Sequence, residues 1–397
     1  MFHNMAINTD EKKIDELLSR GVDEVIHKEV LKKKLLSGKR LRIKLGIDPT
    51  SANIHLGRSI PLLKLRDFQE LGHQIVLIVG DFTSVIGDTS DKDSERPMLS
   101  RETVEENKKT YYEQAGKILD MSTVEFRYNS EWLENLTYRE IGEHADLFSV
   151  SDFIGRDNIK RRLDAGKRVS LREMLYPLMQ GYDSVAVRAD VELGGTDQRF
   201  NLLAGRTLQP HFKQEAQDIL MTPLINGTDG RKMSSSWGNT VNLLANPIDM
   251  YGKVMSMQDA EILNYFTMCT RVSLQEIESI QNELNAGANP KDAKMKLAYE
   301  ITRMYHGDSG AQEGEAYFIE TFQNKQVPED VLEVNADYIE GIIREGVVAS
   351  KTKLRHLLEA GGVRDAVSGE KLTEIPKHVD APLTLKIGKR RFVKLLP

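Results

Sequence analysis

The segment from residue 41 to residue 79 constrains the fold more than any other part of the chain. Residues 41–47 space charged side chains between apolar ones as a strand does, and a turn at Asp48-Pro49 and a helical pattern over 59–71 follow. The run Ile-Val-Leu-Ile-Val at 75–79 is continuously apolar, which is typical of a strand buried on both faces of a parallel sheet. Together these segments predict a βαβ unit and therefore an α/β fold.

A candidate phosphate site lies where the helix of this unit begins. The free N–H groups and the dipole of a helix N-terminus favour phosphate, and His55 could donate a hydrogen bond to it. Gly57 has no Cβ, so a flat base could lie directly on its backbone. A second polar segment, Arg-Lys-Met-Ser-Ser-Ser at 231–236, carries Lys232, which could reach the far end of a triphosphate. A His-x-Gly tripeptide alone is more often an ordinary helix start.

Length and composition exclude several classes of protein. At 397 residues the chain is expected to form two or three domains. Its content of 40% hydrophobic and 29% charged residues is typical of a globular protein. The sequence pattern indicates neither a membrane span nor a signal peptide, which predicts a cytoplasmic location. The single cysteine, Cys269, rules out an intrachain disulfide and a cysteine-rich zinc site, and we expect it to be buried.

Charge is distributed unevenly along the chain. The net charge is −6, but residues 350–397 contain 11 Lys and Arg against 5 Asp and Glu, which is +6 and leaves −12 for the rest. A basic tail on an acidic body indicates that an anionic partner binds near the C-terminus. Neither a membrane nor DNA is predicted as a partner.

The remaining pattern predicts how the chain is organised. A further strand is expected over 185–193, a helical stretch over 101–120, and helices over 247–270, 273–284 and 290–306. The predicted architecture is a Rossmann-like parallel-sheet catalytic domain, a helical domain and a small α+β domain. The corresponding segments are 1–236 with an insertion near 120–175, 237–326, a connector over 327–349, and 350–397.

Three polar residues share one face of a predicted helix. Tyr176, Gln180 and Asp183 are spaced i, i+4, i+7, so their side chains project from the same side. Either they form an internal hydrogen-bond network that ties the helix to the sheet, or they bind a ligand. Asp197 and Gln198 follow two glycines at the end of a predicted strand, where open α/β sheets bind ligands.

Several segments, in order, resemble one family over nearly the whole chain. They are Gly46-Ile47-Asp48-Pro49-Thr50 leading to His55, residues 80–88, residues 176–183, Gly194-Gly195-Thr196-Asp197-Gln198, and the polar segment at 231–236. The sequence is similar to the bacterial tyrosyl-tRNA synthetases, with His55 to Arg58 and Lys232 to Ser236 matching the HIGH and KMSKS motifs of class I aminoacyl-tRNA synthetases. The resemblance implies tyrosine activation with ATP and Mg²⁺, no tightly bound cofactor, transfer of tyrosine to tRNA(Tyr), and a homodimer formed through the insertion.

The resemblance also assigns roles to individual residues. It implies catalytic roles for His55, Arg58, Lys232, Ser234 and Ser235. Substrate contacts would come from Lys44, Asp88, Tyr176, Gln180, Asp183 and Gln198, with the amino group of tyrosine held by Tyr176, Gln180 and Asp88 and the phenol by Asp183. ATP contacts would come from Gly46, Asp48, His55, Gly57, Thr83, Gly195, Asp197 and Lys232, and Lys92 and Arg96 match residues that face pyrophosphate.

The chain departs from the family pattern at three positions. Arg58 replaces the last histidine of the first motif, and Ser235 replaces a lysine of the second. One cation is gained and another is lost around the triphosphate, so we hypothesise that the two changes partly offset each other. Lys44 stands where some relatives have a tyrosine near the substrate phenol.

The basic tail resembles a small RNA-binding domain named after the fourth protein of the small ribosomal subunit. The matching segments are 350–355, 361–364 and 386–391. The resemblance implies RNA binding through Lys351, Lys353, Arg355 and Arg364. A solvated basic surface is the alternative.

Two other functions remain open at this point. A tryptophan-type synthetase would share the architecture, although residues 176–183 and 194–198 favour tyrosine. A protein that keeps the fold and the RNA-binding tail but has lost catalysis would have no need for His55, Lys232 and the substrate residues together.

Overall fold

The computed structural model describes residues 6–90, 98–323, 331–335, 337–388 and 391–397. The chain divides into two compact units, Met1–Ala245 with Ser256–Leu297, and Asn246–Met255 with Ala298–Pro397. This division is coarser than the four segments predicted from the sequence, whose boundaries stay a prediction. None of the helices in these described ranges is long and apolar enough to cross a membrane. Cys269 is buried, as expected.

The first unit is built on a six-stranded sheet. Its strands are β1 Glu24–Ile26, β2 Arg42–Ile47, β3 Gln74–Val79, β4 Glu125–Tyr128, β5 Val191–Gly195 and β6 Asp218–Thr222, in the order β1-β6-β5-β2-β3-β4. All neighbours are parallel except β1 and β6. Every residue of β3 is buried, as its continuous apolar run predicts. The predicted α/β fold with a parallel sheet is confirmed.

Helices connect the strands and follow them. In chain order they are α1 Glu11–Leu17, α2 Lys28–Leu36, α3 Leu56–Glu70, α4 Asp81–Ile86, α5 Arg101–Lys108, α6 Tyr111–Gly116, α7 Ser130–Leu133, α8 Tyr138–Ala145, α9 Val150–Ile154, α10 Asp157–Asp164, α11 Leu171–Val187, α12 Arg199–His211, α13 Pro247–Met255, α14 Ile262–Cys269, α15 Leu274–Asn285, α16 Pro290–Phe318, α17 Tyr338–Arg344 and α18 Lys351–Glu359. The predicted helices over 101–120 and 247–270 are therefore each divided in two. A non-helical Gly307 divides α16 into two helices, and the first of them ends where the helix over 290–306 was predicted to end.

The strand predicted over 185–193 is wrong in its first half. Val185 and Val187 are β-branched, which favours a strand, but both are buried in the last turn of α11. The strand begins at Val191. Helix packing outweighs the intrinsic preference of the two valines here.

The strand order creates a crevice in the middle of the sheet. From β2 the chain continues to β3 and β4 on one side, while β5 and β6 lie on the other side. The connections that leave the carboxyl ends of β2 and β5 therefore run in opposite directions. Open α/β sheets bind ligands at such a position.

The second unit contains a small sheet with the order β7-β10-β9-β8. Its strands are β7 Leu332–Val334, β8 Val363–Asp365, β9 Leu383–Ile387 and β10 Arg391–Leu395. Val334, Ile342 and Leu354 belong to the same buried cluster as the inward residues of the sheet. The strand β7 and the helix α17, which the sequence indicated as part of a connector, thus contribute to a packed core.

Candidate active site

A cavity of about 430 Å³ opens at the carboxyl edge of the large sheet. Its lining includes a residue just after each of five strands: Asp48 after β2, Gly80 after β3, Asn129 after β4, Asp197 after β5 and Pro223 after β6. From the predicted site, the lining includes Gly46, Asp48, His55, Gly57, Arg58, Thr83, Asp88, Tyr176, Gln180, Asp183, Gly195, Asp197, Gln198, Lys232, Ser234 and Ser235. Lys92 and Arg96 lie outside the described residues.

Asp183 is a buried hydrogen-bond acceptor in this cavity. Its carboxylate is 3% exposed and accepts hydrogen bonds from Trp132 Nε1 at 2.8 Å and Asn129 Nδ2 at 3.3 Å. Burial raises the pKa of Asp183 to about 7, against the opposing effects of the Lys44 charge and these two hydrogen bonds. The carboxylate can accept a further hydrogen bond from a ligand.

Asp48 holds the next two polar side chains in place. Thr83 Oγ1 donates to Asp48 Oδ1 at 2.7 Å, and the Tyr176 hydroxyl donates to Asp48 Oδ2 at 2.9 Å. Burial raises the pKa of Asp48 to about 6. Because the Tyr176 hydroxyl gives its hydrogen to Asp48, its oxygen is available as an acceptor. Gly80 is required beside this group, since a Cβ there would lie 2.0 Å from Asp48 Oδ1.

Further acceptors and donors converge on the same end of the cavity. Gln180 Nε2 donates to Glu192 Oε1 at 3.2 Å, and Gln198 Nε2 donates to Asp88 Oδ2 at 2.7 Å. The internal hydrogen-bond network that the i, i+4, i+7 spacing allowed is therefore present. The same helix face also lines the cavity, so the two interpretations are not exclusive.

The helix α3 begins at the other end of the cavity, with His55 as its N-cap. A Cβ on Gly57 would lie 3.2 Å from the His55 ring, so the backbone is open there only because the residue is glycine. Burial, with the nearby charges of Arg58 and Lys232, lowers the pKa of His55 to about 3. His55 is therefore neutral at physiological pH. Among the described residues its Nδ1 has no hydrogen-bond partner.

Arg58 is fixed by three hydrogen bonds. It donates to the Asp48 carbonyl oxygen at 3.0 Å, to the Tyr111 hydroxyl at 3.1 Å and to Thr50 Oγ1 at 2.8 Å. The guanidinium thus stabilises the turn after β2 and places a permanent positive charge in the cavity wall. Ser235 also lines the cavity, and its hydroxyl lies 3.4 Å from that of Ser51.

Lys232 lies on a loop with a defined conformation. Its Nζ is 3.1 Å from Oδ2 of Asp197, which lies in the turn after β5. The Met233 backbone N–H donates to the Ile225 carbonyl at 2.9 Å. The side-chain amide oxygen of the buried Asn239 accepts a hydrogen bond from the Ser234 N–H at 2.9 Å. Its NH₂ group donates to the Lys232 carbonyl oxygen at 3.1 Å and to a neighbouring carboxylate. These contacts set the position of the Lys232 ammonium.

Four residues that support the site were not identified from the sequence. They are Asn129, Trp132, Glu192 and Asn239. Asn129 follows β4, whose Glu-Phe-Arg-Tyr sequence is too polar to be recognised as a strand. Had β4 been recognised, the position after its carboxyl end would have indicated Asn129. The other three carry no signal in the sequence alone.

Lys44 does not lie where the sequence placed it. It is fully buried beneath the cavity, and its Nζ is 2.8 Å from Glu192 Oε1. Lys44 does not line the cavity. A strand buried on both faces leaves an inward lysine no route to solvent, so it pairs with a carboxylate on the neighbouring strand.

The chain is similar to known proteins over most of its length. A family model described as tRNA synthetases class I (W and Y) matches residues 36–323. A tyrosine–tRNA ligase of Thermotoga maritima is 41% identical over 395 residues, covering 98% of both chains. One from Dehalococcoides mccartyi is 44% identical over 398 residues, covering 98% of this chain and 100% of the relative.

A solved structure shares the fold at low sequence identity. The C-terminally truncated mitochondrial tyrosyl-tRNA synthetase of Aspergillus nidulans is 22% identical, with a TM-score of 0.66 over 78% of this chain and 94% of that one. The parallel sheet therefore belongs to the class I aminoacyl-tRNA synthetase fold. The chain belongs to the tyrosine–tRNA ligase family of this class.

Proposed function

We propose that the chain activates tyrosine with ATP, forming tyrosyl-adenylate and pyrophosphate, and then transfers the tyrosyl group to the 3′ end of tRNA(Tyr). The observation that carries this proposal is one cavity lined by both the buried hydrogen-bond acceptor Asp183 and the cations Arg58 and Lys232. Family membership supports the same reaction.

Tyrosine would be recognised at both of its polar ends. Asp183 would accept the hydrogen bond of the phenol. The ammonium group would be surrounded by three acceptors: the hydroxyl oxygen of Tyr176, the side-chain carbonyl oxygen of Gln180 and the carboxylate of Asp88. Each of these acceptors is already held by a partner within the protein, so little ordering is required when the substrate binds.

ATP would lie from Gly46 and Gly195 to the start of α3. A Cβ on Gly46 would point into open space, which leaves the backbone of β2 accessible to a flat ligand. Asp197 would bind the ribose. The neutral His55, together with Lys232 and Arg58, would bind the phosphates.

Neither chemical step requires a covalent enzyme intermediate. A carboxylate oxygen of tyrosine attacks the α-phosphorus, and the bond from that phosphorus to the leaving pyrophosphate oxygen breaks. A ribose hydroxyl of the tRNA then attacks the acyl carbon, loses its proton and releases AMP. Positioning and electrostatic stabilisation of the phosphate charge are expected to supply most of the rate enhancement.

We propose that Mg²⁺ accompanies ATP as a phosphate-bound ion and balances part of its charge. In the described ranges, no group of three or more His, Cys, Asp or Glu side chains could hold a metal ion. The ion would therefore be bound by the triphosphate, and the fixed cations would come from Lys232 and Arg58.

One assay tests the proposed function against its rivals. Pyrophosphate exchange should depend on tyrosine and should be negligible with tryptophan or without an amino acid. Exchange with tryptophan would favour the tryptophan-type enzyme. No exchange with any amino acid, in a folded protein that still binds tRNA, would favour an RNA-structural role.

A double-mutant cycle tests whether the cation gained at Arg58 offsets the cation lost at Ser235. We expect Arg58→His to slow adenylate formation about tenfold, because a fixed charge near the phosphates is lost, and Ser235→Lys to restore much of the rate in that background. The readout is single-turnover adenylate formation in the wild type, both single variants and the double variant. Additive effects would contradict the hypothesis, because residues that act independently show no coupling.

We propose that the outer face of the small sheet binds RNA. Arg364 on β8 lies directly opposite Lys386 on β9, and Lys386 Nζ lies 5.4 Å from the centre of the Phe392 ring on β10. Like charges directly opposite each other weaken a sheet, so this pair favours an anionic partner. Lys351, Lys353 and Arg355 are exposed on the adjacent α18. Lys389 and Arg390 of the matching segment lie outside the described residues.

Replacing Lys353 and Arg364 with alanine should weaken tRNA binding about tenfold at moderate salt and leave tyrosine-dependent pyrophosphate exchange unchanged. Each lost phosphate contact should also reduce the salt dependence of binding, lowering the magnitude of the slope of log K against log salt by roughly 1. The measurement is a filter-binding titration at several salt concentrations. Replacement of Lys12 and Lys13 in the first unit controls for loss of positive charge. Equal losses of exchange and binding would contradict the assignment.

We also propose a homodimer that forms through the insertion near 120–175. Tyr138, Val150 and Leu171 in this segment are 95%, 72% and 77% exposed, which provides apolar surface that a second copy of the chain could cover. The proposed place of action is the cytoplasm, where translation uses the charged tRNA.

A further inference from the structure

A buried ion pair contacts Gln180, which lines the cavity. Lys44 on β2 and Glu192 on β5 are register partners in the two central strands, with 2.8 Å between Lys44 Nζ and Glu192 Oε1. Both side chains are fully buried. Two apolar residues of similar volume would often stabilise a core equally well or better, so stability alone does not account for charges at this position.

The pair holds Gln180 at two points. Lys44 Nζ donates to the backbone carbonyl oxygen of Gln180 at 2.9 Å and to Ser184 Oγ at 2.8 Å. Glu192 Oε1 accepts from Gln180 Nε2 at 3.2 Å, and Glu192 Oε2 accepts from Ser184 Oγ at 3.0 Å and from Gln217 Nε2. The backbone and the side chain of Gln180 are thus both attached to the ion pair.

The chemistry of a carboxylate decides which way the Gln180 amide faces. A carboxylate paired with an ammonium group accepts hydrogen bonds and donates none. The Gln180 amide must therefore turn its NH₂ group toward Glu192, which leaves its carbonyl oxygen for the cavity. The opposite orientation would present N–H donors to the ammonium group of an amino acid and repel it.

We infer that Lys44 and Glu192 are positioning residues, which fix the Gln180 amide so that its oxygen accepts the ammonium group of tyrosine. Lys44 balances the charge that makes Glu192 a pure acceptor and anchors the Gln180 backbone. This inference rests on the proposed function, because it requires an amino acid as the ligand of Gln180.

The test compares two ligands that differ only in the ammonium group. They are tyrosine and 3-(4-hydroxyphenyl)propionate, whose dissociation constants are measured with the full chain by equilibrium dialysis. In the variant Lys44→Met/Glu192→Met both charges and the acceptor are removed together, so no unpaired charge stays buried. Tyrosine binding should weaken about 10- to 100-fold, the effect of losing one hydrogen bond to a charged group, while binding of the propionate changes less than about twofold.

A second variant keeps the inference testable if the first does not fold. Lys44→Met/Glu192→Gln retains an acceptor but adds a donor, so the Gln180 amide can adopt either orientation. Tyrosine binding should weaken by a smaller factor, again without effect on the propionate. Replacing Gln180 with leucine first should abolish the effect of either variant, because Lys44 and Glu192 act through Gln180.

The control variant is Lys64→Met. Lys64 is also a buried lysine, and it donates to the Leu17 carbonyl oxygen at 2.8 Å and pairs with Asp67. When Lys64 is replaced, Asp67 still has Arg271 as an ion-pair partner. Its loss should lower stability and leave the ratio of the two dissociation constants unchanged. Equal weakening of both ligands in the Lys44/Glu192 variants, or no change for tyrosine, would overturn the inference. Failure of the wild type to bind tyrosine would instead overturn the proposed function.

Discussion

Adenylate formation is expected to slow about 10²- to 10³-fold when Lys232 is replaced by alanine, the usual effect of removing one preorganised donor to a developing charge. The Lys232 ammonium lies at the cavity, 3.1 Å from Asp197 Oδ2, and Asn239 holds the loop that carries it. Its position is therefore set before ATP binds. The measurement is the single-turnover rate of adenylate formation, and tyrosine affinity should not change.

The neighbouring cation Arg231 provides a matched control. Its side chain is 59% exposed and pairs with Asp229 on the outside of the same loop. Because exposed ion pairs contribute little, Arg231→Ala should alter the rate less than about threefold. A similar small change in Lys232→Ala would contradict the role assigned to the ammonium, as would a parallel loss of tyrosine affinity.

The central part of the fold follows from local sequence patterns. The run at 75–79 is apolar throughout because β3 is covered on both faces, and this pattern is specific enough to predict a parallel strand. The edge strand β4 has half-buried residues of mixed polarity, so it leaves no comparable signal. Val185 and Val187 instead give a false strand signal, because their side chains favour a strand while their packing requires a helix.

The site was predictable where the chain itself brings residues together. Residues that follow parallel strands meet at one edge of the sheet, so Asp48 and Asp197 were expected at the same edge once the strands were recognised. The supporting partners could not be predicted in the same way. Glu192 contacts Gln180 and Lys44 only because β5 lies beside β2, and that adjacency depends on the tertiary structure.

Replacing Asp183 with asparagine should lower kcat/KM for tyrosine about 10²-fold, because a hydrogen bond to a charged acceptor is lost and a polar group is left unpaired in a buried site. The asparagine cannot serve as a simple substitute. Trp132 and Asn129 both direct N–H groups at position 183, so an amide there would set its own NH₂ group against one of these donors or against the phenol. The measurement is pyrophosphate exchange with tyrosine and with phenylalanine.

Comparing tyrosine with phenylalanine, and measuring how kcat/KM depends on pH, distinguishes loss of phenol recognition from general damage to the cavity. Phenylalanine has no phenol, so its kcat/KM should change little in Asp183→Asn, and discrimination between the two should shrink. In the wild type, kcat/KM for tyrosine should fall as the pH decreases through about 7, the value to which burial raises the pKa of Asp183, because the protonated carboxyl no longer accepts the phenol fully. This inflection should vanish in the variant, whereas any inflection from Asp48, whose pKa is raised to about 6, should persist. Equal losses for tyrosine and phenylalanine, or an unchanged inflection near pH 7, would show that Asp183 stabilises the cavity without recognising the phenol.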